Sequence, residues 1–412
     1  MREKKIIFLT AFLHSGLDWV HALLDSHPQL LITPALSFYR CWTRFDFNEI
    51  EKGQKIYNKF YEYISENIGP NSKNEQKKFL HTQEEQNDFF LKLSDLLKDN
   101  LIARKEAFLF IHESYIYAKK IDQSHIKAII AHEHLPIYKK FYKKDFPKSS
   151  LILVLRDPRA ALAGIWYRRD KLFGHLPDYT FNMTIDCWFY AVNIIKDKFY
   201  KNGKNLFILK NEDLHNNLEN EMLKLSDWLK IDFNDCLLHE SFPSGKTVFV
   251  DSAYLLDDKP NDQNLFNQKV PNDYFKIENV TARWRKTLSN KQIIMIESIF
   301  SICFTRFGYK KIFNDNLYNK ILSFIFFFIP QTKLLNYWIE NYPNVDAFNR
   351  IYKRLYLNDK IFLAKIWVFL PNFVKFLSLL FYSVFLRVKI FFNSKENIPS
   401  YDKIKKNLKE ES

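Results

Sequence analysis

Glycine is scarce in this sequence, with eight residues among 412. That is about 2%, against about 7% in ordinary proteins, and it excludes collagen-like chains, Gly-rich linkers and Gly-rich β-solenoids. Cysteine is scarcer still. Cys41, Cys187, Cys236 and Cys303 lie far apart and form no C-x-x-C pair. Their spacing argues against a disulfide scaffold or a thiolate zinc site and for a reducing compartment. No internal repeat is visible. Disorder as a global state is excluded too, because 47% of residues are hydrophobic and 26% charged, which is ordinary globular usage.

Aromatic residues and positive charge are plentiful. There are 40 Phe and 22 Tyr, and 61 basic against 47 acidic side chains give a net charge of +14. Such a chain attracts polyanions: nucleic acid, an anionic membrane surface or a phosphorylated small ligand. The length allows two or three domains, or one large α/β domain with an extension.

The apolar run from Ile6 to Leu13, after Met1-Arg2-Glu3-Lys4-Lys5, is short for a signal-peptide core and lacks a small-residue cleavage site. It reads as a buried first strand of an unprocessed, cytosol-facing chain. A helix follows from about Leu17 to Asp25, ended by His27-Pro28. Residues 45–105 are polar and helical in tone. Ile126–Ala131, Ser150–Leu155 and Asn205–Leu209 are further short apolar runs, each followed by a helical pattern, the last by a helix from about Leu218 to Leu229. Strands alternating with helices imply an α/β fold whose central, mostly parallel sheet is covered on both faces. Residues 245–282 are irregular, and Ser289–Phe307 is an amphipathic helix.

Two segments carry the chemistry. After the first strand, Ser15 and Gly16 stand at a turn into a helix N-terminus, where unpaired N–H groups and the helix dipole favour an anion. An ordinary strand-to-helix turn would look the same. At the end of the strand Ser150–Leu155 comes Arg156-Asp157-Pro158-Arg159. Arg156 is placed either to fork a phosphate or to pair with Asp157 acting as a helix cap.

In order and spacing these segments resemble the sulfotransferase superfamily, whose members use 3′-phosphoadenosine 5′-phosphosulfate (PAPS). His14-Ser15-Gly16-Leu17-Asp18-Trp19-Val20 resembles the family's [RK]-S-G-T-T-W-L loop, and Leu23-Leu24-Asp25-Ser26-His27-Pro28 resembles the L-L-D-x-H-P run after it. Arg156-Asp157-Pro158 matches the R-[DN]-P of the 3′-phosphate motif. Ala131-His132-Glu133-His134-Leu135-Pro136 is similar to K-x-H-L-P, in which the histidine is the base. Lys210-Asn211-Glu212-Asp213-Leu214, Pro243-Ser244-Gly245 with Asp251-Ser252, Arg283-Trp284-Arg285 and Phe307-Gly308-Tyr309 follow in the family's order. The likeness covers about residues 4–310.

The resemblance implies a P-loop-like three-layer α/β/α fold with a helical C-terminal extension. It also implies sulfuryl transfer from PAPS to a hydroxyl of a glycan, glycolipid or other small acceptor. Its implied catalytic residues are His134, as base, and His14. Its implied donor-binding residues are Ser15, Gly16, Leu17, Asp18, Trp19, Arg156, Gly164, Ser252, Arg283 and Trp284. The sequence departs from the family at several of these. His14 replaces a cation, Leu17 and Asp18 replace paired threonines, His132 replaces a lysine and Gly164 replaces a serine. A carboxylate about 4 Å from a phosphate is repelled by about 1 kcal/mol in water, and by more where water is excluded. The alternative reading is therefore a catalytically degenerate member that binds a nucleotide or a membrane. Ser244-Gly245-Lys246-Thr247 echoes a Walker A ending, but Glu240 stands where its first glycine belongs. His132 and His134, two apart, do not share a helix face as zinc-site histidines four apart would, so no metal is expected.

The boundary between a domain of residues 1–311 and an extension of residues 312–412 is expected near residue 312. From Leu317 to Phe392 ten basic residues stand against three acids. Ile366–Leu386 is apolar except for Lys375 and is interrupted by Pro371. Such a stretch reads as helices in a membrane interface, with a span or a soluble helical cap as alternatives. Nucleic acid is not expected, because the basic residues alternate with aliphatics. The expected setting is cytoplasmic, peripheral at the inner membrane face. Full-length protein should co-sediment with anionic vesicles, weakening but not vanishing at high salt, whereas residues 1–311 should stay in solution. Equal sedimentation of the two would refute this role.

Overall fold

The computed structural model describes residues 4–164 apart from 13–14, 34–35, 73–77 and 99. Beyond these it describes 194, 204–239 and 277–321, with gaps at 283, 301–303, 306, 314–315 and 319–320. His14, Ser252, Arg283 and almost all of the expected extension lie outside the described residues. Among those described, no helix is long and apolar enough to cross a membrane.

The chain divides into two compact units. The first is built from Met1–Ala11, Gly16–Leu155 and Lys204–Val250, the second from Phe12–Ser15, Arg156–Gly203 and Asp251–Ser412. In the first unit the elements run β1 (Lys5–Ala11), α1 (Leu17–Leu24), β2 (Leu30–Ile32), α2 (Phe38–Arg44), β3 (Ile50–Lys52), α3 (Gly53–Tyr63), α4 (Gln83–Leu97), β4 (Leu101–Ala103) and α5 (Arg104–Ala118). After them come β5 (Ala128–His132), α6 (Lys139–Asp145), β6 (Ser150–Leu155), β7 (Leu206–Lys210), α7 (Asn211–Asn216) and α8 (Leu218–Leu229). The central sheet has the order β2-β5-β1-β6-β7. Every pairing in it is parallel, with Leu9 opposite His132 and Thr10 opposite Leu153. Alternating strands and helices thus form the expected α/β architecture. The polar stretch 45–105 contains one feature its helical tone concealed, an antiparallel pair of β3 with β4.

Side chains alternate across a strand, so each strand feeds two cores. Ile7, Leu9 and Ala11 of β1 join Ala128 and Ile130 of β5 in one core, against Val20, Leu23 and Leu24 of α1 and Met222, Leu225 and Leu229 of α8. On the opposite face Phe8 stacks on Tyr142 at 4.1 Å between ring centres, and Tyr39 and Phe108 pack around it. Much of the aromatic surplus of this unit is spent on that second face. His27, from the L-L-D-x-H-P run, is structural. It bonds through Nε2 to the carbonyl of Asp232 at 2.9 Å and accepts from the Gln29 N–H at 3.2 Å.

A buried ion pair ties the second face together. Arg104, the first residue of α5, donates through Nε and Nη2 to both oxygens of Asp145, the last residue of α6, at 2.7 and 2.8 Å. The Tyr39 hydroxyl also donates to Asp145, at 3.0 Å. Burial, followed by the adjacent carboxylate, keeps that phenol well above its ordinary pKa, so it remains a donor.

The second unit is held by a similar device. Pro158 opens a helical segment over 158–164 as the N1 residue for which its fixed φ suits it. Asp157 accepts from the Arg159 N–H at 2.8 Å and binds its guanidinium, which also reaches Glu297. Glu297 lies in a helix, Asn290–Ile299, and accepts the N–H groups of Ile312 and Phe313 at 2.9 and 3.0 Å. A truncation that retains residue 313 therefore retains this clamp.

Removing one partner of a buried pair strands the other charge, at a cost of about 3–5 kcal/mol. Asp145→Ala should lower stability by that amount in urea unfolding. Arg104→Met combined with Asp145→Leu should cost less than Asp145→Ala alone.

Candidate functional site

The carboxyl ends of adjacent parallel strands are where open α/β sheets bind ligands. In the first unit β1 and β5 end side by side, and the N–H of Glu133 donates to the carbonyl of Leu9 at 2.8 Å. β1 passes into the Ser15-Gly16 turn. Gly16 caps α1 with φ +88, a left-handed conformation, and a Cβ there would strike the amide of Asn211 at the start of α7. Both facts require glycine. Gly16, the N-cap residue of α1, supplies no side-chain cap to the helix.

The strand period decides where the end of β5 points. Ala128 and Ile130 face α1, and His132, the last residue of β5, continues that parity, with His134 in the bend that follows. Glu133 points the opposite way and accepts the backbone N–H of Tyr39 at 2.8 Å, at the start of α2. It is fully buried, and desolvation pushes its carboxyl up to about 8. The helix-face argument does not apply to these residues, because His132 ends a strand and His134 lies in the bend after it, with the two rings 4.5 Å apart.

His132 is the hub. Its Nδ1 lies 2.8 Å from Nδ1 of His21, and its Nε2 lies 3.4 Å from Nδ1 of His134 and 3.5 Å from Oδ1 of Asp18. His21 and Asp18 stand three apart on α1, on one face. Burial, aided by the neighbouring His132, lowers the His21 pKa to about 3, so this ring is neutral. His21 was not foreseen from the sequence. The available signal was Asp18-x-x-His21 opening a helix beside a strand that ends in His-x-His.

The other expected residues fall as follows. Leu17 is buried in the α1 core and faces no solvent. Trp19 is buried, its ring stacked on His215 at 4.3 Å. Asp18 is half exposed, with its side chain at 49%, and His134 is half-buried. In the second unit Ser15 is fully buried, and its hydroxyl has no hydrogen-bond partner among the described residues. Arg156 follows β6 directly and is half-buried, and Gly164 is buried in the helix that starts at Pro158. Trp284 is buried, and the Arg159 guanidinium lies over its ring at 4.4 Å. Asp157 is thus engaged by Arg159.

A profile of the sulfotransferase domain family matches residues 4–308. The chain belongs to this family. Comparison with curated proteins finds no match. Among solved structures, the sulfotransferase domain from the curacin biosynthetic pathway is 13% identical, with a TM-score of 0.42, covering 72% of this chain and 98% of its own. The sulfotransferase domain of the Synechococcus PCC 7002 olefin synthase is 14% identical, with a TM-score of 0.39, covering 79% and 96%. A sulfotransferase from Mycobacterium avium is 13% identical, with a TM-score of 0.31, covering 70% and 77%. Asp18 and His132, expected from the sequence to depart from two different motifs of this sulfotransferase domain, are neighbours in space.

A left-handed backbone costs an L-residue about 1–2 kcal/mol. Gly16→Ala should exceed that cost because of the clash with Asn211, and Asn211→Ala should remove only the steric part. Urea unfolding of the two single variants and the double variant should show a coupling between them of the order of 0.5–3 kcal/mol.

Proposed function

We propose that the protein transfers a sulfuryl group from PAPS to a hydroxyl of a glycan, glycolipid or other small acceptor. The observation that carries this reading is the turn after β1. Ser15 buries a hydroxyl with no partner among the described residues, and Gly16 has no room for a side chain. A turn of this kind at a helix start fits an anion. The carboxylate of Asp18 opposes that fit, and the neighbouring His132 offsets it whenever that ring is protonated.

In this reading the Ser15 hydroxyl and the N–H groups of the turn hold the 5′-phosphate as it leaves, the preorganised electrostatics that such transfers need. His14 adds charge there when protonated. His134 accepts the proton of the acceptor hydroxyl as its oxygen attacks sulfur and the bond from sulfur to the phosphate oxygen breaks. Adenosine 3′,5′-bisphosphate is released, with Arg156 binding its 3′-phosphate. The basic C-terminal stretch would hold the enzyme at an anionic membrane surface, near lipid-linked acceptors.

Calorimetry with adenosine 3′,5′-bisphosphate tests the donor. Arg156→Ala should weaken it by about 2–4 kcal/mol with much less effect on adenosine 5′-phosphate. Equal losses for both nucleotides would overturn the assignment. His134→Gln should lower transfer by about 10²–10⁴-fold while leaving bisphosphate affinity unchanged.

A further inference from the structure

We infer that Asp18, His132 and His134 form a binding site for a divalent cation of the zinc class. Their donor atoms, one carboxylate oxygen and two imidazole nitrogens, all lie within 4.8 Å of one another. Two of the separations are 3.4 and 3.5 Å, both measured from Nε2 of His132. These are long for hydrogen bonds, which cluster near about 2.9 Å. They are the right length for edges of a coordination tetrahedron: ligands about 2.0–2.2 Å from zinc stand about 3.3–3.6 Å apart.

The surroundings suit the same assignment. A histidine that binds metal through Nε2 carries its proton on Nδ1 and donates it to an outer partner, which fixes the ring. Here that partner is Nδ1 of His21, 2.8 Å away on α1. The bend after β5 brings the His134 ring to 4.5 Å from that of His132, and Asp18 reaches His132 from the first turn of α1. Two nitrogens and one oxygen match zinc better than magnesium or calcium, which prefer all-oxygen sets. Three protein donors are found among the described residues, as many as catalytic zinc sites use.

If His134 is the base, as in the reading above, occupancy has a further consequence. A metal on Nδ1 takes the lone pair of the neutral ring, and the filled site and the proton-accepting histidine exclude each other.

The test uses metal-free, untagged, full-length protein titrated with Co²⁺ and then Zn²⁺, and it contains no nucleotide, so it stands apart from the donor reading. One equivalent of Co²⁺ should bind and give the visible absorption of a four-coordinate site, and Zn²⁺ should abolish that absorption. Asp18→Asn and His132→Gln should each weaken binding by at least about tenfold. His125→Gln, at an exposed histidine beside Asp122, should leave it unchanged. If His132→Gln fails to fold, Asp18→Asn decides alone, because that side chain is half exposed. No saturable binding, or binding that Asp18→Asn leaves intact, would overturn the site.

Discussion

The two-residue period of β5 is the constraint on which the rest of this protein's first unit depends. Ala128 and Ile130 must face α1 to fill one core, and Ile129 and Ala131 must face the aromatic layer to fill the other. Once that register is set by pairing with β1, the last residue of the strand, His132, has no choice of direction. It meets His21 and Asp18 of α1, and His134 in the bend beyond it meets His132, while Glu133 meets α2. A slip of one residue would turn the His132 imidazole toward the aromatic layer. The packing of hydrophobic side chains thus positions the polar ones.

Behind the site runs a continuous polar chain through an otherwise apolar layer. Glu133 holds the backbone of Tyr39, the Tyr39 hydroxyl holds Asp145, and Asp145 holds Arg104. Four elements, β5, α2, α6 and α5, are joined by groups that would each be costly to leave alone in a low-dielectric interior. Hydrogen bonds demand specific directions where aromatic packing alone would tolerate several, so this chain fixes the orientation of the elements beneath the site.

Much of this was legible in the sequence. β6 over Ser150–Leu155 and α8 over Leu218–Leu229 fall where apolar runs and helical spacing put them, because a buried strand and an amphipathic helix each carry a periodic signature. The ordered motifs pointed to the sulfotransferase family, which the family profile shows. What escaped had no local signature. β3 and β4 are three residues each and pair across the whole of α3 and α4, so neither shows alternation long enough to see. His21 was hidden inside a helix whose apolar spacing drew attention elsewhere. His132 and His134 were judged by a helical rule, but they stand at the end of a strand and in the bend after it. Arg159 was given no role, and its bonds to Asp157 and to Glu297, 138 residues away, had no signal in the sequence.

The clamp around Arg159 has a consequence for how the chain is made. Its partner Glu297 lies 138 residues downstream, and at about 5–20 residues per second a ribosome needs about 7–30 s to reach it. Every strand of the central sheet has been synthesised by residue 210, so the first unit can collapse during that interval. Arg159 must wait with Asp157 as its counter-ion. The second unit closes only after Phe313 has cleared the exit tunnel, which makes it the later of the two to acquire its native contacts and the one that depends on the nascent chain remaining uncleaved until then.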